Sequence, residues 1–508
     1  MKHLAEKHVL VLGLGSSGLA LARWCARCGA QVTVADTRAE PPQLAALRAS
    51  VPSARFVHAE MGAALLKTVD GFAPFAMVVK SPGLSPASVA GVTAAAVASG
   101  LVVGNELSLF AQALSDLKEG TAYAPQVIGI TGTNGKTTVT SLTGQLAERA
   151  GKTVAVAGNI GPTLLDTLAE KLDSDSLPEV WVLELSSFQL DGIKNFEPAV
   201  ATVLNITQDH LDWHETFDAY AAAKNNVYGS AGLMLLNRND PLVMAAAPTP
   251  VKGKPTRSYL TYGHDAPQRP GDYGIETVNG MAWLVRAAEL DETIKRKRGD
   301  RGGDKNDQVA LYIQRLMPVE ALRIHGLHNA TNALAALALS TAAGCALSPM
   351  LHGLREYRGE PHRVESVAVI NGVEYFDDSK GTNVGATVAA LSGLGAERKL
   401  VVILGGVGKD QDFSPLADPV SRYARAVILM GRDASLIRTA LGNKVVNLFD
   451  AQSMQDAVVL AAGQAQPGDA VLMSPACASF DMFDNYEHRA RSFCEAVQAL
   501  ALDEGVML

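Results

Sequence analysis

The sequence predicts an α/β fold in three domains: an N-terminal Rossmann-like domain over residues 1–114, a central P-loop-type domain with a parallel sheet over 115–359, and a C-terminal Rossmann-like domain over 360–508. Three observations predict it. At roughly 100 to 200 residues per domain, a chain of 508 residues needs about three cores. Short apolar strands alternate with Ala- and Leu-rich helical stretches, the pattern of parallel sheets linked by crossover helices. A glycine-rich turn between a strand and a helix opens each of the first two segments.

In the first segment the strand 9–14 runs into Gly13-Leu14-Gly15-Ser16-Ser17-Gly18, a helix follows, and a second strand, 31–35, ends at Asp36. Glycines there permit a tight turn and close approach of a pyrophosphate, and an acid about 20 residues on suits a ribose hydroxyl. Taken alone, this fingerprint supports a nicotinamide-dependent oxidoreductase, although such a turn accepts any pyrophosphate. Residues 77–79 form a buried strand before Ser81-Pro82-Gly83, and the polar stretch 115–126 reads as a linker.

The second segment places Thr131-Gly132-Thr133-Asn134-Gly135-Lys136-Thr137-Thr138 between a strand, 127–130, and a helix from about 137 to 150. Small residues let backbone N–H groups and the helix dipole meet phosphate oxygens, while Lys136 supplies a charge and Thr137 a hydroxyl for magnesium. The general P-loop pattern has Gly six residues before its Lys; Ile130 stands there. Glu184 ends an apolar strand, which exposes a carboxylate at the carboxyl edge of the sheet, and magnesium prefers such hard oxygens. His210 and His214 form an i, i+4 pair compatible with zinc, but no nearby Cys or third His completes a site. A packing role for His210 stays open, and His214 has no assignment. Lys224 on its own residues is an ordinary exposed helix lysine. The stretch 291–307 mixes acids and bases without aromatics, as a solvated loop does.

The third segment opens with strands 367–370 and 373–376 joined by Asn371-Gly372, a hairpin signal. Strands 399–404, 426–430 and 470–473 then alternate with helices. Lys409 follows a glycine-rich turn, where a cation can reach an anionic group.

With 48% hydrophobic and 19% charged residues the chain is globular, and a net charge of -8 gives no general attraction for nucleic acid or anionic lipid. Five scattered cysteines point to a reducing compartment. Cys25 and Cys28 make one CxxC late in a helix, with no second pair, and read as packing. No signal-peptide core or membrane span is visible, so a cytoplasmic location is expected.

The form TGTNGKTT is that of the ATP loop in the Mur ligase and folylpolyglutamate synthase superfamily. The chain resembles that superfamily further through Gly158-Asn159-Ile160-Gly161, Glu184-Leu185-Ser186-Ser187-Phe188-Gln189-Leu190, Asn205-Ile206-Thr207-Gln208-Asp209-His210-Leu211-Asp212 and His328-Asn329-Ala330-Thr331-Asn332. Glu360-Pro361-His362-Arg363 with Asp377-Asp378-Ser379-Lys380-Gly381-Thr382-Asn383 is similar to the D-glutamate-adding branch, as are residues 404–413 and 474–481. Val407 departs from an acidic residue in some relatives, Phe480 and Tyr486 replace commoner Leu and Phe, and the region 262–318 exceeds what the family requires. That insertion is expected to decorate the surface.

The resemblance implies a ligase that activates UDP-N-acetylmuramoyl-L-alanine with ATP as an acyl phosphate and adds D-glutamate, forming ADP and phosphate in cytoplasmic peptidoglycan precursor synthesis. It implies catalysis by Lys136, Glu184, His210 and Lys224, two magnesium ions held through Thr137, Glu184, His210 and Lys224, and carbon dioxide bound as a carbamate on Lys224. Gly132, Thr133, Asn134, Gly135, Lys136, Thr137, Thr138, Asn329, Asn332, Arg363, Asp378 and Lys380 would bind ATP. Ser16, Ser17, Asp36, Thr37, Arg38, Ser81, Gly83, Asn159 and His210 would bind the UDP substrate, and Thr382, Lys409, Ser479, Phe480 and Tyr486 D-glutamate. A monomer without nucleic-acid partners is expected. The alternatives are a folate-branch ligase, a noncatalytic nucleotide-binding module, or the oxidoreductase, which leaves the second phosphate loop and the DDSKGTN stretch without a role.

Overall fold

The computed structural model describes residues 2–67, 73–250, 256–289, 311–442 and 447–506; the polar stretch 291–307 lies outside them. Strands β1 (His8–Leu12), β2 (Gln31–Asp36), β3 (Arg55–His58), β4 (Phe75–Lys80) and β5 (Val102–Asn105) form a parallel sheet in the order β3-β2-β1-β4-β5. Alternate residues of β1 feed opposite cores. Val9 and Val11 pack with Leu21 and Trp24, while Leu10 and Leu12 pack with Val89 and Val92. A strand covered by helices on both faces is therefore apolar throughout. Cys25 lies in the first of these cores, its thiol pushed up to about 12 by burial, and all five cysteines are free.

The stretch expected as a linker is largely helix. Asn105 caps the helix Glu106–Thr121 in a capping box with Ser108, and Leu109, Phe110, Ala113 and Leu117 bury along one face. Cap and apolar spacing outweigh the polar outer face that suggested a linker. Residue 114 thus lies inside a helix, and residues 122–125 make the connection. Phe110 meets Trp181 of the second domain edge to face at 5.1 Å, and Arg27 donates to both Asp173 carboxylate oxygens across the same junction.

The second domain holds β6 (Gln126–Thr131), β7 (Val154–Gly158), β8 (Val180–Glu184), β9 (Val200–Val203), β10 (Leu233–Asn237) and β11 (Tyr259–Tyr262), parallel and ordered β11-β10-β9-β6-β8-β7. The chain builds outward on both sides of β6, which places a crevice at the carboxyl end of that strand. The small antiparallel sheet β12 (Tyr273–Val278), β13 (Met281–Glu289) and β14 (Leu311–Pro318) corrects the expectation of a surface decoration. Its inner face buries Tyr273, Leu284 and Met317 in one core with the helix Leu327–Ala342. One apolar face is enough to make an antiparallel sheet part of a core.

The third domain is ordered β15-β16-β20-β17-β18-β19, with β15 (Glu365–Ile370), β16 (Val373–Asp377), β17 (Leu400–Gly405), β18 (Ala424–Met430), β19 (Leu448–Asp450) and β20 (Ala470–Met473). β15 and β16 form the expected antiparallel hairpin, turning at Asn371 and Gly372 with φ of 52° and 78°. Both central residues at positive φ are what a two-residue hairpin turn of this twist requires.

Candidate active site

The phosphate loop joins β6 to the helix Lys136–Arg149. Gly132 (φ +153°) and Gly135 (φ +84°) are close-packed: a Cβ would lie 2.9 Å from the Leu204 side chain and 2.9 Å from Asn332 Oδ1, respectively. The loop is held from outside, since Asn134 N donates to Asn205 Oδ1 at 2.8 Å and the Thr133 hydroxyl lies 2.9 Å from the Tyr220 hydroxyl. Lys136 Nζ donates to Gly132 O and Thr133 O, each at 2.9 Å. Burial lowers its pKa, opposed by the carboxylates of Glu184 and Asp209.

Beside the loop, a cavity of about 560 Å³ brings together Lys136, Thr137, Asn159, Glu184, His210 and Arg363. Glu184 is buried at the end of β8; its Oε1 accepts from Asn159 Nδ2 at 2.8 Å, and its Oε2 has no hydrogen-bond partner among the described residues. An unpaired buried carboxylate oxygen is costly. With the Thr137 hydroxyl it offers the hard donors that suit magnesium. His210 adopts φ +53° and packs its ring edge on Phe188 at 4.7 Å. Burial pushes its pKa down, which favours the neutral imidazole that can act as a ligand. His214 turns away to Ser187 Oγ at 2.9 Å and packs against Trp213, so the two histidines do not form a pair.

Lys224 is not the exposed helix lysine that its residues alone suggest. It is 2% exposed, its Nζ donates to Gly132 O at 2.9 Å, and it sits 4.5 Å from the Tyr220 ring centre. Burial and the nearby Lys136 charge hold its pKa well below the ordinary value. Desolvation of this kind favours the neutral, nucleophilic form of the amine.

A second cavity, about 270 Å³, is lined by Thr138, Asn329, Asn332, Arg363, Asp378 and Lys380. Asn332 Nδ2 donates to Asn329 Oδ1 at 3.2 Å, which helps fix the Asn332 amide over Gly135. Burial raises the Asp378 carboxyl to about 7, and Ser474 donates to it at 2.6 Å. Lys380, lowered to about 8 chiefly by burial, lies 3.6 Å from the centre of the Tyr486 ring.

Of the residues expected around D-glutamate, Thr382 and Tyr486 line the larger cavity. Lys409 Nζ reaches Asp209 Oδ1 at 3.8 Å, and Ser479 is buried. Phe480 is 72% exposed and, like Lys409 and Ser479, lines neither cavity. The turn in which Met482 N and Phe483 N both donate to Ser479 O carries Phe480 on its outer side.

In the first domain, Asp36 closes the glycine-rich turn. It accepts from Leu14 N at 2.7 Å and from the Arg38 side chain, which lowers its pKa to about 2. A Cβ on Gly18 would lie 2.0 Å from Gly13 O, so close helix packing requires glycine there. Ser81 is buried behind Gly13, whereas Thr37, Arg38 and Gly83 are exposed on the loops that follow β2 and β4, and Ser16 is exposed at the start of the helix Ser16–Arg27 that follows β1. Ser17, half-buried, favours the charged form of the buried Glu106 carboxyl.

Sequence reasoning missed four residues that build this region. Asn383 exchanges amide hydrogen bonds with Asn134 at 3.2 and 3.0 Å, and Asp209 lines the larger cavity beside His210. His362 Nδ1 lies 2.7 Å from Asp377 Oδ2, and Tyr220 supports Thr133. The first three stood inside motifs already singled out; Tyr220 stood one helical turn before Lys224, a spacing that puts both on one face.

Residues 7–104 match the Mur ligase MurD-like N-terminal domain, 130–340 the Mur ligase middle domain, and 362–477 the Mur ligase glutamate ligase domain. The chain is 63% identical to a UDP-N-acetylmuramoylalanine–D-glutamate ligase of Albidiferax ferrireducens, over 99% of this chain and 98% of that protein. It is 58% identical to the protein of that name from a Polaromonas species, over the full length of both. Among solved structures, the MurF ligase of Thermotoga maritima in complex with ADP shares the fold at a TM-score of 0.56 and 15% identity, covering 98% of this chain and 97% of that one. The chain belongs to the Mur ligase family, among its UDP-N-acetylmuramoylalanine–D-glutamate ligases.

Proposed function

We propose that this chain joins D-glutamate to UDP-N-acetylmuramoyl-L-alanine, with ATP converted to ADP and phosphate. The observation that carries the reading is the meeting, around one cavity, of the Lys136 phosphate loop, the Glu184 carboxylate with its unpartnered oxygen, and Arg363 from the third domain, with the buried Lys224 amine bonded to Gly132 O of that loop.

The backbone N–H groups that open the helix Lys136–Arg149, together with Lys136, hold the β- and γ-phosphates. Arg363 and Lys380 add charge from the third domain, and Asn329 and Asn332 hold the nucleotide beyond Gly135. The acceptor carboxylate attacks the γ-phosphorus in line, the bond to the β-bridging oxygen breaks, and ADP leaves an acyl phosphate. The D-glutamate amine, with its carboxylates held by Lys409, Thr382 and Ser479, attacks the carbonyl carbon. The amine gives up a proton, and phosphate departs with the electron pair of the broken C–O bond.

Thr137, Glu184 and His210 would hold magnesium, which supplies Lewis-acid neutralisation of phosphoryl charge. Lys224 would take up carbon dioxide as a carbamate, releasing a proton and adding an anionic oxygen to that donor set. Ser16, Ser17, Thr37, Arg38, Ser81 and Gly83 receive the UDP portion, Asp36 shapes the turn, and Asn159 orients Glu184 next to the acceptor. One chain provides every group named, which supports a monomer; no helix among the described residues is long and apolar enough to cross a membrane.

The test is phosphate release from magnesium-ATP with UDP-N-acetylmuramoyl-L-alanine and a panel of D-Glu, L-Glu, L-Lys and diaminopimelate. Release only with D-Glu is expected. Turnover with L-Glu and a folate acceptor, or binding of NAD without ATP turnover, would overturn the reading.

A further inference from the structure

Three segments of the third domain carry the side chains assigned above to D-glutamate: 379–384 with Thr382, 407–412 with Lys409, and 476–480 with Ser479. Two residues without an assigned role tie these segments together. Gln411 Oε1 accepts from Val384 N at 2.9 Å, and its Nε2 donates to Ala476 O at 2.8 Å. A single side chain therefore pins the Lys409 segment to both of the others.

Arg489, 2% exposed, stands in the helix Tyr486–Asp503. It donates from Nε to Ser379 Oγ at 3.0 Å, from Nη2 to Ser379 O at 2.8 Å, and from Nη1 to Cys477 O at 3.0 Å. All three partners are neutral oxygens, and burial lowers its pKa to about 10. A buried cation without a directly bonded carboxylate adds little to stability by itself. Its fork instead fixes the distance between two chain segments, which is what a rigid planar donor does best.

The backbone shows the same demand. Lys409, Asp410 and Ala476 have φ of +53°, +57° and +59°. Non-glycine residues hold such angles where their surroundings over-determine them. Gln411 follows two of these residues directly and bonds to the third.

We propose that Gln411 and Arg489 are positioning residues of the amino-acid subsite, setting the spacing of Lys409, Thr382 and Ser479 to the length of a dicarboxylic amino acid. Neither touches the substrate. The inference rests on the assignment of this subsite to D-glutamate.

The experiment is steady-state kinetics of Gln411→Met and Arg489→Lys in the full chain, varying each substrate in turn. Gln411→Met keeps the side-chain length and removes both hydrogen bonds from a partly exposed position, so it folds even if Arg489→Lys does not. In Gln411→Met the KM for D-glutamate is expected to rise about tenfold or more, with the KM values for ATP and the UDP substrate within about twofold of wild type. Gln411→Glu, which retains the acceptor for Val384 N, is expected to fall between wild type and Gln411→Met. An unchanged D-glutamate KM in folded Gln411→Met, or equal rises for all three substrates, would overturn the proposal. If wild type selects a different amino acid from the panel, the substrate assignment fails, and the positioning role is judged by the KM of that amino acid under the same criteria.

Discussion

Arg363 donates from Nη2 to the Thr137 hydroxyl at 2.8 Å, so a side chain of the third domain reaches the residue that follows the phosphate-loop lysine. The reciprocal amide pair of Asn134 and Asn383 spans the same gap. Nucleotide site and third domain are therefore built as one unit, and the cavity between them includes groups from both.

Loss of Arg363 should impair catalysis. Arg363→Ala is expected to lower kcat/KM for ATP about 100-fold or more, in line with removal of a preorganised donor to a transferring phosphoryl group. Arg363→Lys keeps the charge without the fork and should recover only part. Phosphate release at varied ATP measures both; wild-type kcat/KM in Arg363→Ala would exclude a role at the phosphates.

Lys224 is predicted to make the enzyme depend on carbon dioxide. Only the neutral amine reacts with it, and burial with the Lys136 charge favours that form. Activity in carbon dioxide-depleted buffer should fall and return on addition of bicarbonate, and Lys224→Ala should lose at least about 1,000-fold with no response to bicarbonate. Undiminished turnover of Lys224→Ala would rule out the carbamate.

Glu106 should make the junction of the first two domains sensitive to pH. Its buried carboxyl, raised by burial from 4.5 to about 7, accepts from Leu165 N at 3.1 Å at the start of the helix Leu164–Asp173. The folded pKa is the higher one, so its contribution is fully present below pH 4.5 and is lost as pH rises to about 7. The loss is about 3 kcal/mol at most. Glu106→Gln keeps the acceptor and cannot ionise, so its melting temperature relative to wild type should be higher at pH 8 than at pH 5. A difference independent of pH would mean that Glu106 does not titrate in this range.

Gly135→Ala should weaken ATP binding while leaving the fold intact. The position has φ +84°, and a Cβ would meet Asn332 Oδ1 at 2.9 Å. Displacing that amide from the second cavity is expected to raise the KM for ATP about tenfold, near 1.4 kcal/mol. An unaltered ATP KM would show that Asn332 does not hold the nucleotide.

Local pattern made the sheets and the phosphate loop legible. The stretch 9–14 read as a strand because an apolar run leads into a glycine-rich turn, and the structure buries Val9 to Leu12 on both faces; Lys136 to Thr138 read as a phosphate cradle because small residues lie between a strand and a helix. The stretch 115–126 misled because its composition reports the outer face of a helix, while the Asn105 cap and most of the buried face lie before it, leaving Leu117 as its one buried helical residue.

By itself, then, the sequence determined the order of the elements, the phosphate loop and the family, all of which depend on residues close together in the chain. Tertiary structure alone decided that Lys224 is buried against Gly132, that Arg363 meets Thr137 across 226 positions, and that Gln411 ties Val384 to Ala476. Burial, desolvation and hydrogen bonding between distant segments set those properties. They arise only when the chain has closed on itself and water has been excluded, and no local pattern encodes them.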